Sequence, residues 1–274
     1  MTEVYHLDLT KEKLAAMPAD ERQLLLLLGH AANEINVLLK LILMALQPTP
    51  ELKFVDQVQA GQVFVLMRTL IGKLHEAWKL FGNRFQSAPQ IKAKYLPKLN
   101  SEAITALDGL NKHFGKKSPL TLIRSGFSFH YYDEKDLVEK SFQDIAEDES
   151  WHFYLSDITG NRFYYASELV VAAAVIKLVN PAPNSVEPHR EQSDRAFREL
   201  CKLIISASEQ IMTLFRQCIA EIVNENLSDA QMSDPIEIVG APSLGSIQIP
   251  FFVDDTEFKP KADSGVSPAG AVPS

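Results

Sequence analysis

The chain has 274 residues, of which 46% are hydrophobic and 23% are charged, and its formal net charge is −8. This composition is typical of a globular protein with a substantial core, and the negative charge excludes binding of nucleic acid through an overall positive surface. The two cysteines, Cys201 and Cys218, are placed by one predicted helix about 25 Å apart, so they cannot form a disulfide with each other.

Residues 1–18 are polar, and the opening MTEVYHLDLTKEK has no apolar signal-peptide core, so we expect an N-terminal arm and a cytoplasmic protein. A first long helix is predicted at 19–47, because Pro18 and the acids that follow it suit a helix start and Pro48 ends the pattern. Polar residues interrupt its apolar run, which excludes a membrane span. These residues are His30, Asn33, Glu34 and Lys40.

Three of these polar residues share one helix face, since His30, Asn33 and Glu34 lie at positions i, i+3 and i+4. One interpretation is a hydrogen-bonded patch between two helices. The alternative places Glu34 opposite the stretch around Arg124 that is described below.

A second long helix is predicted at 51–85, where apolar residues recur mostly at three- and four-residue spacing. Together with the first helix it should form a long antiparallel hairpin through a proline-containing turn at 47–51. His75 and Glu76 lie beside its core stripe, and we interpret His75 as a structural histidine.

The segment 87–100 is predicted as a polar connector, and 101–114 as a short helix capped by Ser101. Between Gln90 and Arg124, seven basic residues face two acids, a net charge of +5 in a chain that is acidic overall. This tract is either a solvated face or a surface that attracts phosphate.

The charge reverses further along the chain, because eight acids face two lysines between residues 133 and 149, a net charge of −6. A helix is predicted at 134–145. The aromatic segments 151–157 and 162–165, separated by turn residues, predict a small inserted β-hairpin.

Two further helices are predicted, at 168–179 with Ser167 as its cap and at 189–227, and the second of them either completes the bundle or forms a dimer interface. We therefore expect a mainly all-α helical-bundle domain at 19–227. The tail, 228–274, is rich in proline and glycine and is expected to be extended and largely disordered.

The stretch LIRSGFSFHYY is where a cation, an imidazole and a glycine come together. Arg124 and His130 lie six positions apart, so a straight helix would point them about 120° apart and separate them by about 9 Å along its axis. Gly126 permits a late helix start or a kink, and Ser118 followed by Pro119 suits a helix start just before. Either the helix starts within this segment, or a second chain supplies the partner groups of a site built from these residues.

The tract IRSGFSFHYY resembles the signature of the HEPN superfamily, in which an Arg is followed, after four to six residues, by a His at the start of a late helix. Arg124 and His130 match this pattern with five residues between them. The residue after the Arg is usually Asn, Asp or His in the family, and it is Ser125 in this chain. The resemblance covers roughly residues 19–179 and implies a helical bundle with two long antiparallel helices.

The resemblance also implies an activity, that of a metal-independent endoribonuclease which needs no cofactor because the 2′-hydroxyl of the RNA is the nucleophile. Arg124 would hold the scissile phosphate, while His130 would transfer a proton or position the 2′-hydroxyl. Glu34 would supply an acidic residue from an early helix. The implied substrate-binding residues are Ser125, Tyr131, Lys116 and Lys117. We expect a homodimer in which two such motifs meet in one cleft and bind RNA.

Several common catalytic motifs are absent from the sequence, which has no Walker A loop, no GxGxxG after a strand, no HExxH, no GxSxG and no CxxC. Two functions of different classes remain. The first is the HEPN-like ribonuclease, of a toxin or defence system, and the basic tract supports it. The second is a non-catalytic helical protein–protein interaction module that recruits a protein partner through the hairpin and the tail, whose segment 247–253 is apolar.

Overall fold

The structure is a computed structural model that describes residues 2–46, 53–128, 135–145, 147, 149, 151–179, 189–227 and 233–254. Within these ranges the chain forms a bundle of helices with a small antiparallel sheet of two strands, which confirms the predicted mainly all-α fold class. The elements are β1 (Thr2–Val4), α1 (Lys11–Ala16), α2 (Ala19–Ala45), α3 (Lys53–Phe81), α4 (Pro89–Tyr95), α5 (Ser101–His113), α6 (Pro119–Ile123), α7 (Lys135–Gln143), α8 (Tyr165–Val179), α9 (His189–Asn226) and β2 (Ile236–Ile238).

The two long helices α2 and α3 lie antiparallel, as predicted, while the predicted turn at 47–51 lies outside the described residues. Three hydrogen bonds show the antiparallel arrangement, because the residue numbers fall along α2 as they rise along α3 and the turn that ends it. Gln59 Nε2 donates to the Ala45 carbonyl at 2.8 Å, Lys73 to Glu34 at 2.5 Å, and Arg84 to Gln23 at 3.1 Å. Their apolar faces meet in the core, and α3 ends in a π-helical turn, Gly82–Gln86.

Helix α9 completes the bundle by packing between α2 and α5. Its apolar stripe is buried as a row of side chains spaced three or four residues apart. The row consists of Leu200, Ile204, Ala207, Ile211, Leu214, Phe215, Cys218 and Ile222. Helix α9 therefore belongs to the core of the bundle along this row. Completing the bundle was the first of the two roles predicted for it.

The segment 87–100 differs from its prediction as a connector, since it contains α4 and a short 3₁₀ turn, Leu96–Lys98. Pro89 opens α4, and Ile91 and Tyr95, four residues apart, bury one face of it in the core. The charged residues between them hide this short apolar pair in the sequence. Asn100, rather than Ser101, caps α5 by accepting the amide of Ala103 at 2.8 Å.

The predicted hairpin near 151–165 is present as a single antiparallel bridge between Tyr154 and Phe163, whose amides and carbonyls are paired at 2.8 and 2.9 Å. A 3₁₀ turn, Thr159–Asn161, joins its two sides. The ring of Phe163 lies so close to Gly61 of α3 that an added Cβ there would come within 2.2 Å of it. The bridge is thus anchored on the bundle. Helix α8 starts at Tyr165, before the predicted cap.

The described part of the tail, residues 233–254, is extended and held on the bundle. Strand β2 pairs with β1, and the amide of Ile249 bonds to the carbonyl of Met44 at 3.4 Å. Asn161 binds the backbone of Val253 through both ends of its amide, at 2.6 and 2.9 Å. Phe251 and Phe252 are half-buried against the bundle, whereas Ile236, Ile238 and Val239 are exposed.

One helix, α2, is long and apolar enough to cross a membrane by length and composition, a test that buried core helices also pass. Nine of its residues are buried in the bundle. They are Glu21, Leu24, Leu25, Leu28, Ala31, Ala32, Ile35, Ile42 and Ala45.

Candidate functional site

Helix α6 positions Arg124. The Ser118 hydroxyl accepts the amide of Thr121 at 3.2 Å, and Pro119 occupies the first turn, so the predicted helix start is confirmed. After one turn the helix widens into a π-helical turn, Arg124–Ser128, which packs against α3. Such turns often occur at functional sites, because they change the direction of the side chains that follow.

The guanidinium group of Arg124 is held on one side by α3. Its Nη2 donates to Oε1 of Glu76 at 2.5 Å, and the two side chains are 25% and 41% exposed. This hydrogen bond, together with the positive charge, outweighs partial burial and lowers the pKa of the Glu76 carboxyl. The Nε of Arg124 is buried and has no hydrogen-bond partner among the described residues.

His75 lies beside this ion pair on α3. Its ring packs edge-on against Phe114, with 5.8 Å between the ring centroids. Burial lowers the pKa of His75, and the charge of Arg124 lowers it further, so the imidazole is neutral at pH 7. A neutral imidazole has one nitrogen that can accept a proton.

Three polar atoms of this region are buried without a hydrogen-bond partner in the described part of the chain: Nδ1 of His75, Nε of Arg124 and Oγ of Ser128. We call Arg124, Glu76, His75 and Ser128 the Arg124 site. Unpaired buried polar atoms are rare in folded proteins, and each costs about 1–3 kcal/mol. His75 interacts electrostatically with Arg124, and Ser128 ends the π-helical turn that Arg124 begins.

Glu34 bonds across to α3, in agreement with the first interpretation of its helix face, and no bond between Glu34 and Arg124 is formed in the described part of the chain. Its carboxylate bonds to Lys73 at 2.5 Å and lies 3.8 Å from His30. Lys73 is one turn before Glu76 on α3, so the two acids are bonded to different cations at successive turns of this helix. The acidic partner of Arg124 is Glu76. The one feature of the sequence that pointed to Glu76 was its place next to His75, beside the core stripe of α3.

The remaining predicted residues are distributed differently. The Ser125 hydroxyl donates to the carbonyls of Thr121 and Leu122 at 3.1 and 3.0 Å, which engages it within the helix. Lys116 and Lys117 are exposed in the turn between α5 and α6. His130 and Tyr131 lie outside the described residues.

The basic tract divides into paired and unpaired cations. Lys94 bonds to Glu21 at 2.8 Å and Lys98 bonds to Glu225 at 2.5 Å, so these two lysines belong to the structure of the bundle. The four other lysines are exposed, and no salt bridge is formed by them within the described ranges. They are Lys92, Lys112, Lys116 and Lys117.

A second polar cluster was missed in the sequence. Glu21 at the start of α2 is buried and accepts hydrogen bonds from Tyr95, from Lys94 at 2.8 Å and from Asn226 at 2.6 Å. Burial alone would raise the pKa of the Glu21 carboxyl, but these bonds outweigh it and lower that pKa. We call these four residues the Glu21 cluster. It joins α2, α4 and the end of α9.

No family model matches the chain, and no curated protein and no solved structure is significantly similar to it. The resemblance to the HEPN superfamily therefore stays a prediction. Within the described residues, no three His, Cys, Asp or Glu side chains are grouped so that they could hold a metal ion.

Proposed function

We propose that this protein is a HEPN-like metal-independent endoribonuclease that uses Arg124 to bind the scissile phosphate. One observation carries the proposal: a half-buried guanidinium group, bonded to Glu76 by one nitrogen, keeps a buried Nε unpaired beside a neutral imidazole. A phosphate oxygen is the kind of acceptor that this nitrogen lacks.

The proposed reaction needs three roles. A base removes the proton of the 2′-hydroxyl, whose oxygen attacks the adjacent phosphorus, and an acid returns a proton to the departing 5′-oxygen. Arg124 stabilises the negative charge that develops on the phosphate oxygens. His130 serves in proton transfer, as the resemblance implies, and His75 is a second imidazole beside Arg124.

Glu76 is a positioning residue in this proposal. By accepting from Nη2, it fixes one edge of the guanidinium plane and leaves other donors for the substrate. It also competes with the phosphate for the cation, so binding of RNA has to overcome this attraction.

The surroundings supply the approach for RNA. Lys112, Lys116 and Lys117 are exposed at the end of α5 and in the turn that leads into α6, next to the helix that carries Arg124. Their charges attract the phosphate backbone although the chain is acidic overall. The active form is a homodimer in which two sites share one cleft, as the resemblance implies.

The test is cleavage of labelled single-stranded RNA with EDTA present throughout. Arg124→Ala should lower the cleavage rate by about 100-fold or more, because the group acts mainly on the transition state. Arg84→Ala is the matched control, since Arg84 also lies in a π-helical turn, bonded to a neutral Gln23 at 3.1 Å, and its loss should leave cleavage unchanged.

Two histidine variants extend the test. His130→Gln should abolish cleavage, and His75→Gln should lower it, while His30→Gln, at an exposed position, should not. Melting curves must show that all variants fold. A folded wild-type protein that cleaves no RNA in EDTA would overturn the proposal and favour the interaction module.

The tail does not favour that second function. Phe251 and Phe252 pack on Phe163 and Phe54, with centroid distances of 5.1 and 5.8 Å. The apolar segment that was expected to recruit a partner thus contacts its own chain.

A further inference from the structure

Five large apolar side chains are exposed together on the side of the bundle that carries the bridge between Tyr154 and Phe163. We call Phe142, Trp151, Phe153, Leu155 and Tyr164 the aromatic patch, and each is between 42% and 73% exposed. Neighbouring Phe163 is 7% exposed. Residues 153 and 155 alternate with the half-buried residues 154 and 156, as expected for an extended segment, so the outward face there is apolar where a polar one is usual.

Rings of the patch pack against each other in pairs while they stay exposed to solvent. Phe142 of α7 lies 5.3 Å from Trp151, and Phe153 lies 5.2 Å from Tyr164 in an edge-to-face arrangement. The backbone beneath is fixed by the paired bridge and by a bond from the amide of Ala166 to the carbonyl of His152 at 3.1 Å. A rigid exposed aromatic surface loses little entropy when a partner binds.

The charges around the patch are mainly negative. The exposed acids include Glu139 on α7, Glu147 after it and Asp157 beyond the bridge. Of the cations nearby, Lys177 is paired with Asp144 at 2.5 Å, while the exposed Lys140 and Arg162 keep their charges and are outnumbered by the acids. In the sequence, residues 133–149 carry a net charge of −6.

This charge selects between two kinds of partner for exposed aromatic rings. Surfaces that stack nucleic-acid bases combine rings with a positive groove for the phosphates. An acidic rim repels phosphates and attracts cations, and arginine and lysine side chains also bind favourably over aromatic faces. The chemistry of the patch therefore fits a positively charged protein segment.

We propose that the aromatic patch is a docking surface for a cationic, partly apolar segment of a partner protein. Arginine side chains of that segment stack on the exposed rings and place their charges near Glu139, Glu147 and Asp157. Its apolar side chains cover Leu155 and the edges of the rings. The surface is distinct from the Arg124 site, and its role does not depend on the nuclease.

The test measures binding of the full chain to labelled probes by fluorescence anisotropy. The probes are a short peptide of arginine, leucine and glycine, the same peptide with glutamate in place of arginine, and a single-stranded RNA. The arginine peptide should bind, more weakly as salt rises, and the other two should not bind to the patch.

Variants locate the binding surface. A double variant, Phe153→Ser with Tyr164→Ser, should weaken binding of the arginine peptide by about tenfold or more. Glu139→Lys with Glu147→Lys should weaken it similarly while it keeps every ring. Leu26→Ser, at an apolar position of α2 that is also about half exposed, is the matched control and should bind normally.

Melting curves establish that the variants fold, and the charge reversals test the surface independently of the ring contacts. Retention of arginine-peptide binding in both double variants would overturn the proposal. So would failure of the wild type to bind the peptide, or loss of RNA binding in the ring variant.

Discussion

The Glu21 cluster and the Arg124 site both place charged groups between helices, but they differ in how completely those groups are paired. The Glu21 carboxylate receives donors from Lys94, Tyr95 and Asn226. In the Arg124 site, buried atoms of three residues have no partner among the described residues. Complete pairing is what a structural joint requires, since each unpaired buried group costs free energy.

The difference suggests a division of tasks. The Glu21 cluster stabilises the meeting point of three helices, and none of its atoms is among the buried unpaired ones of the described residues. The Arg124 site is less stable than it could be and keeps buried polar atoms unpaired. Incomplete pairing near a cation is a cost to folding that a bound anion would offset.

Among the variants that test the contrast between the Glu21 cluster and the Arg124 site, Glu21→Ala should have the largest effect on the free energy of unfolding. The change leaves the buried Tyr95 hydroxyl and the Lys94 ammonium without their acceptor, so the free energy of unfolding should fall by about 3 kcal/mol. Urea denaturation measures this value. Asp20→Ala, one residue earlier at an exposed position of the same first turn, should change it by less than about 0.5 kcal/mol. Equal effects of the two variants would show that the cluster contributes nothing special.

An opposite sign is expected for Ser128→Ala in the Arg124 site. Removal of an unpaired buried hydroxyl should raise the free energy of unfolding by about 1 kcal/mol. In Ser208→Ala the hydroxyl removed is buried but donates to the Ile204 carbonyl at 2.7 Å, so that variant should be neutral or less stable. Thermal melting of both proteins decides the comparison, and a destabilised Ser128→Ala would mean that this hydroxyl is paired.

Glu76→Gln should have a smaller effect on stability than any change at Glu21. Its carboxylate is 41% exposed, and solvent screens its interaction with Arg124, so the free energy of unfolding should change by about 0.5 kcal/mol or less. The same variant should alter the Michaelis constant for RNA, because Glu76 competes with the phosphate. A large loss of stability in urea would place Glu76 among the structural residues.

The smallest expected effect concerns the pKa of His75, which Arg124→Gln should raise. Burial is the largest cause of the lowered pKa of His75, and the positive charge of Arg124 is the second. An NMR titration of the imidazole measures the change, with Arg84→Gln as control. A lowered pKa in the folded state gives stability that is present above the ordinary value of 6.5 and lost as pH falls through the lowered value. Arg124→Gln should therefore flatten the fall in stability below that pH. An unchanged pKa would separate His75 from Arg124.

The long elements were predictable because their signals repeat over many residues. The proline at 18 and the apolar periodicity of α2, α3 and α9 place their ends within a few residues of the observed ones. Helix α4 was not predictable in the same way, since one buried pair, Ile91 and Tyr95, is too short a pattern among lysines. A periodic pattern predicts the buried face of a helix only when apolar residues repeat over several turns.

Contacts between distant elements were harder still. From the sequence, only Glu34 is placed opposite Arg124 and Glu76 has no predicted role, although both acids lie on long helices of similar character. Only the packing of α6 on α3 decides for Glu76. Likewise the alternation of Trp151, Phe153 and Leu155 indicates a strand, but which face is covered depends on where Phe163 meets α3.

The small sheet has a consequence for the order in which the chain acquires its structure during translation. The amide of His6 bonds to Ser233, and β1 pairs with β2, across a separation of 227 residues at that bond. At about 5–20 residues per second, a ribosome needs roughly 10 to 45 s between the two. Through that interval β1 has no strand to pair with, while the hairpin of α2 and α3 already has both halves. The sheet therefore forms late, and it can form only after α9 has been synthesised.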